Sequence, residues 1–122
     1  MECVLTFKQA KKAAEEALNA EKFDVGTWVA ALWSEVWWIG QVNAEMVHEE
    51  YAINFMHPVD GSNVDECKID WPDYKDVTPI PVADILCVVS QPVPTLFKQK
   101  WCKTLPRKEV DSIKTAFFNA TH

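Results

Sequence analysis

Apolar residues recur at helical spacing near the start of the chain, alternate through its middle, and return to a helical stripe at its end. In the first segment Ala10, Ala13, Ala14, Ala17 and Leu18 share one face, and Thr6 with Gln9 makes a capping box. The pattern predicts an α-helix from about Phe7 to Ala20, within a segment spanning 1–21. Its face is mostly alanine, so it is expected to pack closely but weakly, as a docked appendage.

At Phe23-Asp24-Val25-Gly26 the texture changes. TWVAALW and WWIGQV flank a tight turn at Ser34-Glu35 and read as a β-hairpin. Trp28, Ala30 and Leu32 fall on one face of its first strand, and Val29, Ala31 and Trp33 on the other. Asn43 to Glu50 reads as a polar connection, YAINFM as a third strand and His57 to Glu66 as a loop. CKIDW is expected as a fourth strand ending at Pro72, and PDYKDVTPIP as a proline-punctuated loop. VADILCVV reads as a short helical turn followed by a fifth strand. Five short strands in so few residues, within 22–90, is the economy of a small barrel.

Gln91-Pro92-Val93-Pro94 is expected as an extended linker opening the segment 91–122. Thr104-Leu105-Pro106 then resembles a helix start. Val110, Ile113, Lys114 and Phe117 fall near one stripe, which predicts an amphipathic helix from Leu105 to Asn119.

Charge sharpens this division. The net charge of −6 is distributed as −1 over residues 1–21, −9 over 22–90 and +4 over 91–122. An acidic centre attracts cationic partners and repels phosphate. The 122 residues suffice for one domain with a core of its own. No apolar run approaches the roughly 20 residues that span a bilayer. The first residues lack the basic-then-apolar order of a secretory signal, so an intracellular protein, nuclear or cytoplasmic, is expected, with no membrane partner. Cys3, Cys67, Cys87 and Cys102 are widely spaced. They read as reduced, mostly buried thiols rather than a zinc site, whose ligands come in close pairs.

The run from Gly26 through Trp33, then Trp37 to Val42, then Tyr51 to Phe55, resembles a Tudor domain. Val82 to Leu86 looks like the helical turn that closes such barrels. Trp37 to Val42, Phe55 to Pro58, Trp71-Pro72 and Asp84 to Cys87 are also similar to uncharacterised Tudor-like domains near transposon-derived proteins of animals. The resemblance implies a mainly β fold, a five-stranded SH3/Tudor-like barrel, here flanked by an N-terminal and a C-terminal α-helix. It also implies an aromatic cage for methylated lysine or arginine. By position the cage would use Trp33, Trp38 and Phe55, with Asp60 and Asn63 as its polar members. The turn after the third strand carries Met56-His57-Pro58, where those domains place a second aromatic and a glycine.

A methylated ammonium is a poorly hydrated cation, held by aromatic faces beside a carboxylate. The expected function is therefore a non-enzymatic chromatin-type module that binds a basic peptide or protein tail, methylated or not, on a nuclear protein, with no cofactor. One alternative is an assembly domain that oligomerises through its helices. A second is nucleic-acid association through Lys98, Lys100, Lys103 and Arg107, with Trp101 stacking on bases. His48-Glu49-Glu50 lacks the spacing of a helical metal motif. Nothing like a cysteine-protease signature surrounds Cys67, near His57 and Asp60. Asp65, Glu66, Asp70, Asp73 and Asp76 miss the spacing of a calcium loop and read as a solvated edge.

Overall fold

The computed structural model describes residues 23–46, 49–63 and 66–122. The helix expected between Phe7 and Ala20 lies outside the described residues, as do His48 and Asp65.

The expected hairpin is present. β1 (Trp28–Trp33) pairs antiparallel with β2 (Val36–Met46) from Trp28 opposite Gln41 to Trp33 opposite Val36. Ser34 and Glu35 both take positive φ, 52° and 67°, the conformation that matches a two-residue turn to the twist of its strands. β2 runs on through residues expected to form a polar connection. It accommodates Asn43 with an irregularity between Val42 and Ala44 as it pairs with β3 (Glu50–Phe55). β6 (Val77–Pro81) pairs with β3, a single 3-10 turn covers Val82–Asp84, and β7 (Ile85–Val88) returns to pair with β1. The result is a five-stranded antiparallel sheet in the order β6-β3-β2-β1-β7. Its two ends, β6 and β7, do not pair with each other among the described residues, so strand pairing does not close the expected barrel.

A second antiparallel sheet has the order β4-β5-β9-β8. Two of its strands are short, β4 (His57–Pro58) and β5 (Ile69–Asp70). The others, β8 (Val93–Phe97) and β9 (Lys100–Thr104), form a hairpin where a linker is expected from Gln91 to Pro94. The chain ends in helix α1 (Arg107–Thr121), with Pro106 at its N-cap. The described residues are thus mainly β, with two antiparallel sheets and one C-terminal helix.

β6 carries Pro79 and Pro81, and β8 carries Pro94. Each lacks an N–H, which an edge strand tolerates and a central strand does not. The same prolines blunt two edges that would otherwise invite pairing with another chain.

The large sheet is covered on both faces, which explains why Val29, Ala30 and Ala31 are buried in succession. One face gathers Val29, Ala31, Val42, Tyr51, Ile53, Phe55 and Ile80. Gly40 permits this closure, because a Cβ there would lie 2.4 Å from Ile53 Cγ2 and 2.9 Å from Phe55 Cδ1. The other face packs Ala30, Trp37 and Ile39 against Met56, Cys67 and Ile69, with Leu105, Val110 and Ile113 from the C-terminal segment. Burying side chains the size of Val110 and Ile113 contributes about 1.5–3 kcal/mol each, a large share of a net stability of about 5–15 kcal/mol. The helix is therefore part of the core. Glu109 fastens its first turn by accepting bonds from Ser90 N at 2.7 Å and from the Ser90 hydroxyl.

Candidate functional site

The β1–β2 turn and the β3–β6 connection lie at the same end of the large sheet, and there four rings form a row. Trp33 ends β1 and meets Trp38 of β2, with centroids 5.8 Å apart and planes at 72°. Trp38 meets His57 at 5.4 Å and 64°, and His57 meets Tyr74 at 5.9 Å and 88°. All three contacts are edge to face, so the rings support one another and leave outer faces toward solvent. Trp33 is 45% exposed and Tyr74 is 66% exposed. Trp38 Nε1–H donates to the Trp33 carbonyl at 3.0 Å, which fixes the indole.

His57 anchors the row. Its Nε2 lies 2.6 Å from Asp76 Oδ2, and the other oxygen of Asp76 accepts the Thr78 hydroxyl at 3.0 Å. The Asp76 carbonyl receives the Phe55 N–H at 2.8 Å. A carboxylate at the base of the row is thereby held by β3, β4 and the start of β6.

Of the five cage residues expected from sequence, Trp33 and Trp38 are brought together in the row. Phe55 touches Trp38, with centroids 6.2 Å apart, but it is only 2% exposed and belongs to the core. It is a packing residue rather than a cage wall, because Gly40 lets its ring sink beneath the sheet. Asn63 lines a small depression beside Trp38. Its side-chain oxygen accepts the Glu66 N–H at 3.1 Å, while Glu66 accepts the Asn63 N–H at 3.0 Å, a reciprocal cap that engages the side chain locally. Asp60 lines a neighbouring cleft together with His57. His57, Tyr74 and Asp76 fall in segments that sequence patterns assign to loops. The only signals for them are a histidine after a strand and a Tyr-x-Asp after Trp71-Pro72.

Beyond His57 and Tyr74 a cleft of about 760 Å³ opens between the β3–β6 connection and the tip of the β8–β9 hairpin. Asp60, Asp70 and Asp73 line it, and so do Lys98, Lys100 and Trp101. Of the residues expected for a cage only Asp60 lines this cleft, beside Lys98, Lys100 and Trp101 from the set expected for nucleic-acid contact; Trp33, Trp38, Phe55, Asn63, Lys103 and Arg107 do not line it. Lys98 is already engaged, donating to the Gly61 carbonyl at 3.4 Å and lying 5.2 Å from the Phe97 centroid. Lys103 pairs with Asp70 at 3.8 Å, and Arg107 with Asp111 at 3.3 Å. Three carboxylates beside these partly committed cations make a poor surface for phosphate. On its other flank Trp33 borders a groove of about 720 Å³ with Glu35, Asp84 and Phe117.

Cys67 is buried, and desolvation pushes its thiol pKa up against smaller opposing effects of Leu105, Lys68 and Thr104. Burial likewise raises Cys87, with Glu109 adding to the effect. Both are packing thiols held protonated. His57 is committed to Asp76 rather than to Cys67. Among the described residues no three His, Cys, Asp or Glu side chains converge as metal ligands. No helix of the described residues is long and apolar enough to cross a membrane. No protein-family model matches the chain, and neither a curated protein nor a solved structure matches it.

Proposed function

We propose that this chain is a non-enzymatic binding module that holds a cationic side chain of a basic peptide against the row Trp33–Trp38–His57–Tyr74. The observation that carries this reading is the row itself: four linked rings with exposed outer members and the Asp76 carboxylate at their base. Aromatic faces attract cations through their quadrupoles by about 0.5–2 kcal/mol at a site. Methylation strips hydration from an ammonium and suits it to such a surface. The charge of −9 over residues 22–90 favours encounter with basic tails.

A Tudor/SH3-like module is the fold we assign to this unit. The strand order, the 3-10 turn before β7 and the return of β7 to β1 support it. Relative to the cage that the resemblance implies, the site is a ledge. Phe55 withdraws into the core, and His57 and Tyr74 extend the aromatic surface toward the cleft.

Binding to an array of basic peptides, unmodified and mono-, di- or trimethylated, tests the proposal. Selective retention of basic peptides, lost in Trp33→Ala and Tyr74→Ala proteins that remain folded, is the expected outcome. Uniform silence across the array contradicts it.

A further inference from the structure

The large cleft has a composition of its own. Trp71, Tyr74 and Trp101 present exposed rings to it, and Trp101 is 69% exposed at the hairpin. One side of Trp71 is supported by Trp28, with centroids 5.6 Å apart, so the ring is held in place. Asp60 and Asp73 are exposed and have no hydrogen-bond or ion-pair partner among the described residues, whereas Asp70 is paired with Lys103. Of the two lysines facing the cleft, Lys98 is bound to Gly61 and lies near Phe97, and Lys100 is unpaired among the described residues. The uncommitted groups are thus two carboxylates and one ammonium around three aromatic faces.

That combination fits a guanidinium. Its plane stacks on aromatic rings while its N–H groups remain directed at carboxylates in the same plane, which the compact, strongly hydrated ammonium of lysine does less well. Tyr74 and His57 belong both to the row and to the lining of the cleft. An extended peptide lying across them would place neighbouring residues in the two sites at once.

We infer that the cleft is a second subsite for an unmodified arginine on the same peptide, with Trp101 and Tyr74 stacking and Asp73 and Asp60 accepting its N–H groups. This inference rests on the row as a cation site and deepens that reading. Recognition is then bipartite, and an arginine a few residues from the side chain held by the row raises affinity by linking two contacts.

Calorimetric titration with three synthetic Gly/Ser-based peptides of about a dozen residues tests it. The first carries one trimethyllysine and no arginine. The second adds an arginine about two to six residues away, and the third replaces that arginine with citrulline, its neutral isostere. The arginine peptide is expected to bind about tenfold tighter than the other two. Trp101→Ala and Asp73→Asn, both at exposed positions and checked for native circular dichroism, should erase that gain and leave the first peptide's affinity unchanged. No gain at any spacing, or a gain that persists in both variants, overturns the inference. If the trimethyllysine peptide binds through Trp33 and arginine adds nothing, the cleft reading falls alone. Should the second peptide bind in a Trp101-dependent way while the first and third do not, the row reading falls and the cleft stands. Silence from all three peptides overturns both.

Discussion

Two aromatic residues in ring contact with Trp38 have opposite roles, and their exposure decides which. Trp33 keeps nearly half its surface in solvent, so Trp33→Ala removes a binding face and about 1 kcal/mol or less of stability. Phe55 is enclosed, and Phe55→Ala should cost about 3–5 kcal/mol through the cavity it leaves. Chemical denaturation of the two variants should separate them clearly, with only the second shifting its midpoint by a large amount. Gly40 makes a comparable case without any side chain. The Cβ of a Gly40→Ala variant would press on Ile53, on Phe55 and, at 2.9 Å, on the Asn54 carbonyl oxygen. A backbone atom cannot rotate aside, so that variant should lose about 1–3 kcal/mol by overpacking. Denaturant midpoints again give the readout.

Among the elements, the β1–β2 hairpin was the easiest to read, because alternation of Trp, Val, Ala and Leu around a two-residue turn leaves one register. The turn itself is not ideal: Glu35 sits at φ 67° with a side chain that disfavours this region. Glu35→Gly should therefore raise stability by about 0.5–1 kcal/mol, seen as a higher denaturant midpoint with an unchanged slope. The short helical turn at Val82–Asp84 and the C-terminal stripe were equally legible. β6 and β8 were not, because Pro79, Pro81 and Pro94 interrupt their alternation and read as loop or linker. In three dimensions those prolines occupy edge strands, where a missing N–H costs little. Sequence periodicity cannot tell an edge from a loop. Half of the site escapes the pattern for the same reason. Trp33 and Trp38 lie on the readable hairpin, whereas His57 and Tyr74 lie in short or irregular segments whose partnership exists only after β3 and β6 pair.

At the scale of the whole molecule, the two sheets and the helix share one core through Trp37, Met56, Cys67, Leu105 and Ile113. This makes stability responsive to alkaline pH in a defined direction. Burial raises the pKa of Cys67 and Cys87 in the folded chain, so above the ordinary thiol pKa of about 8.5 the unfolded chain releases protons that the folded chain retains. Fewer bound protons in the unfolded state make stability fall as pH rises. Unfolding free energy measured from pH 7 to 10 should decline, and Cys67→Ala with Cys87→Ala should flatten that decline.

The same shared core holds the aromatic row at one end of the large sheet, flanked by acidic loops, and the central claim is that a cation binds there. Titration of the isotope-labelled protein with a trimethyllysine peptide, followed by nuclear magnetic resonance, tests this most directly. The account predicts saturable shifts concentrated at the Trp33 and Trp38 indole N–H groups and in the backbone around His57, Tyr74 and Asp76, abolished by Trp33→Ala. Shifts that are absent, or that cluster on α1 and the exposed lysines without sensitivity to Trp33→Ala, would contradict it.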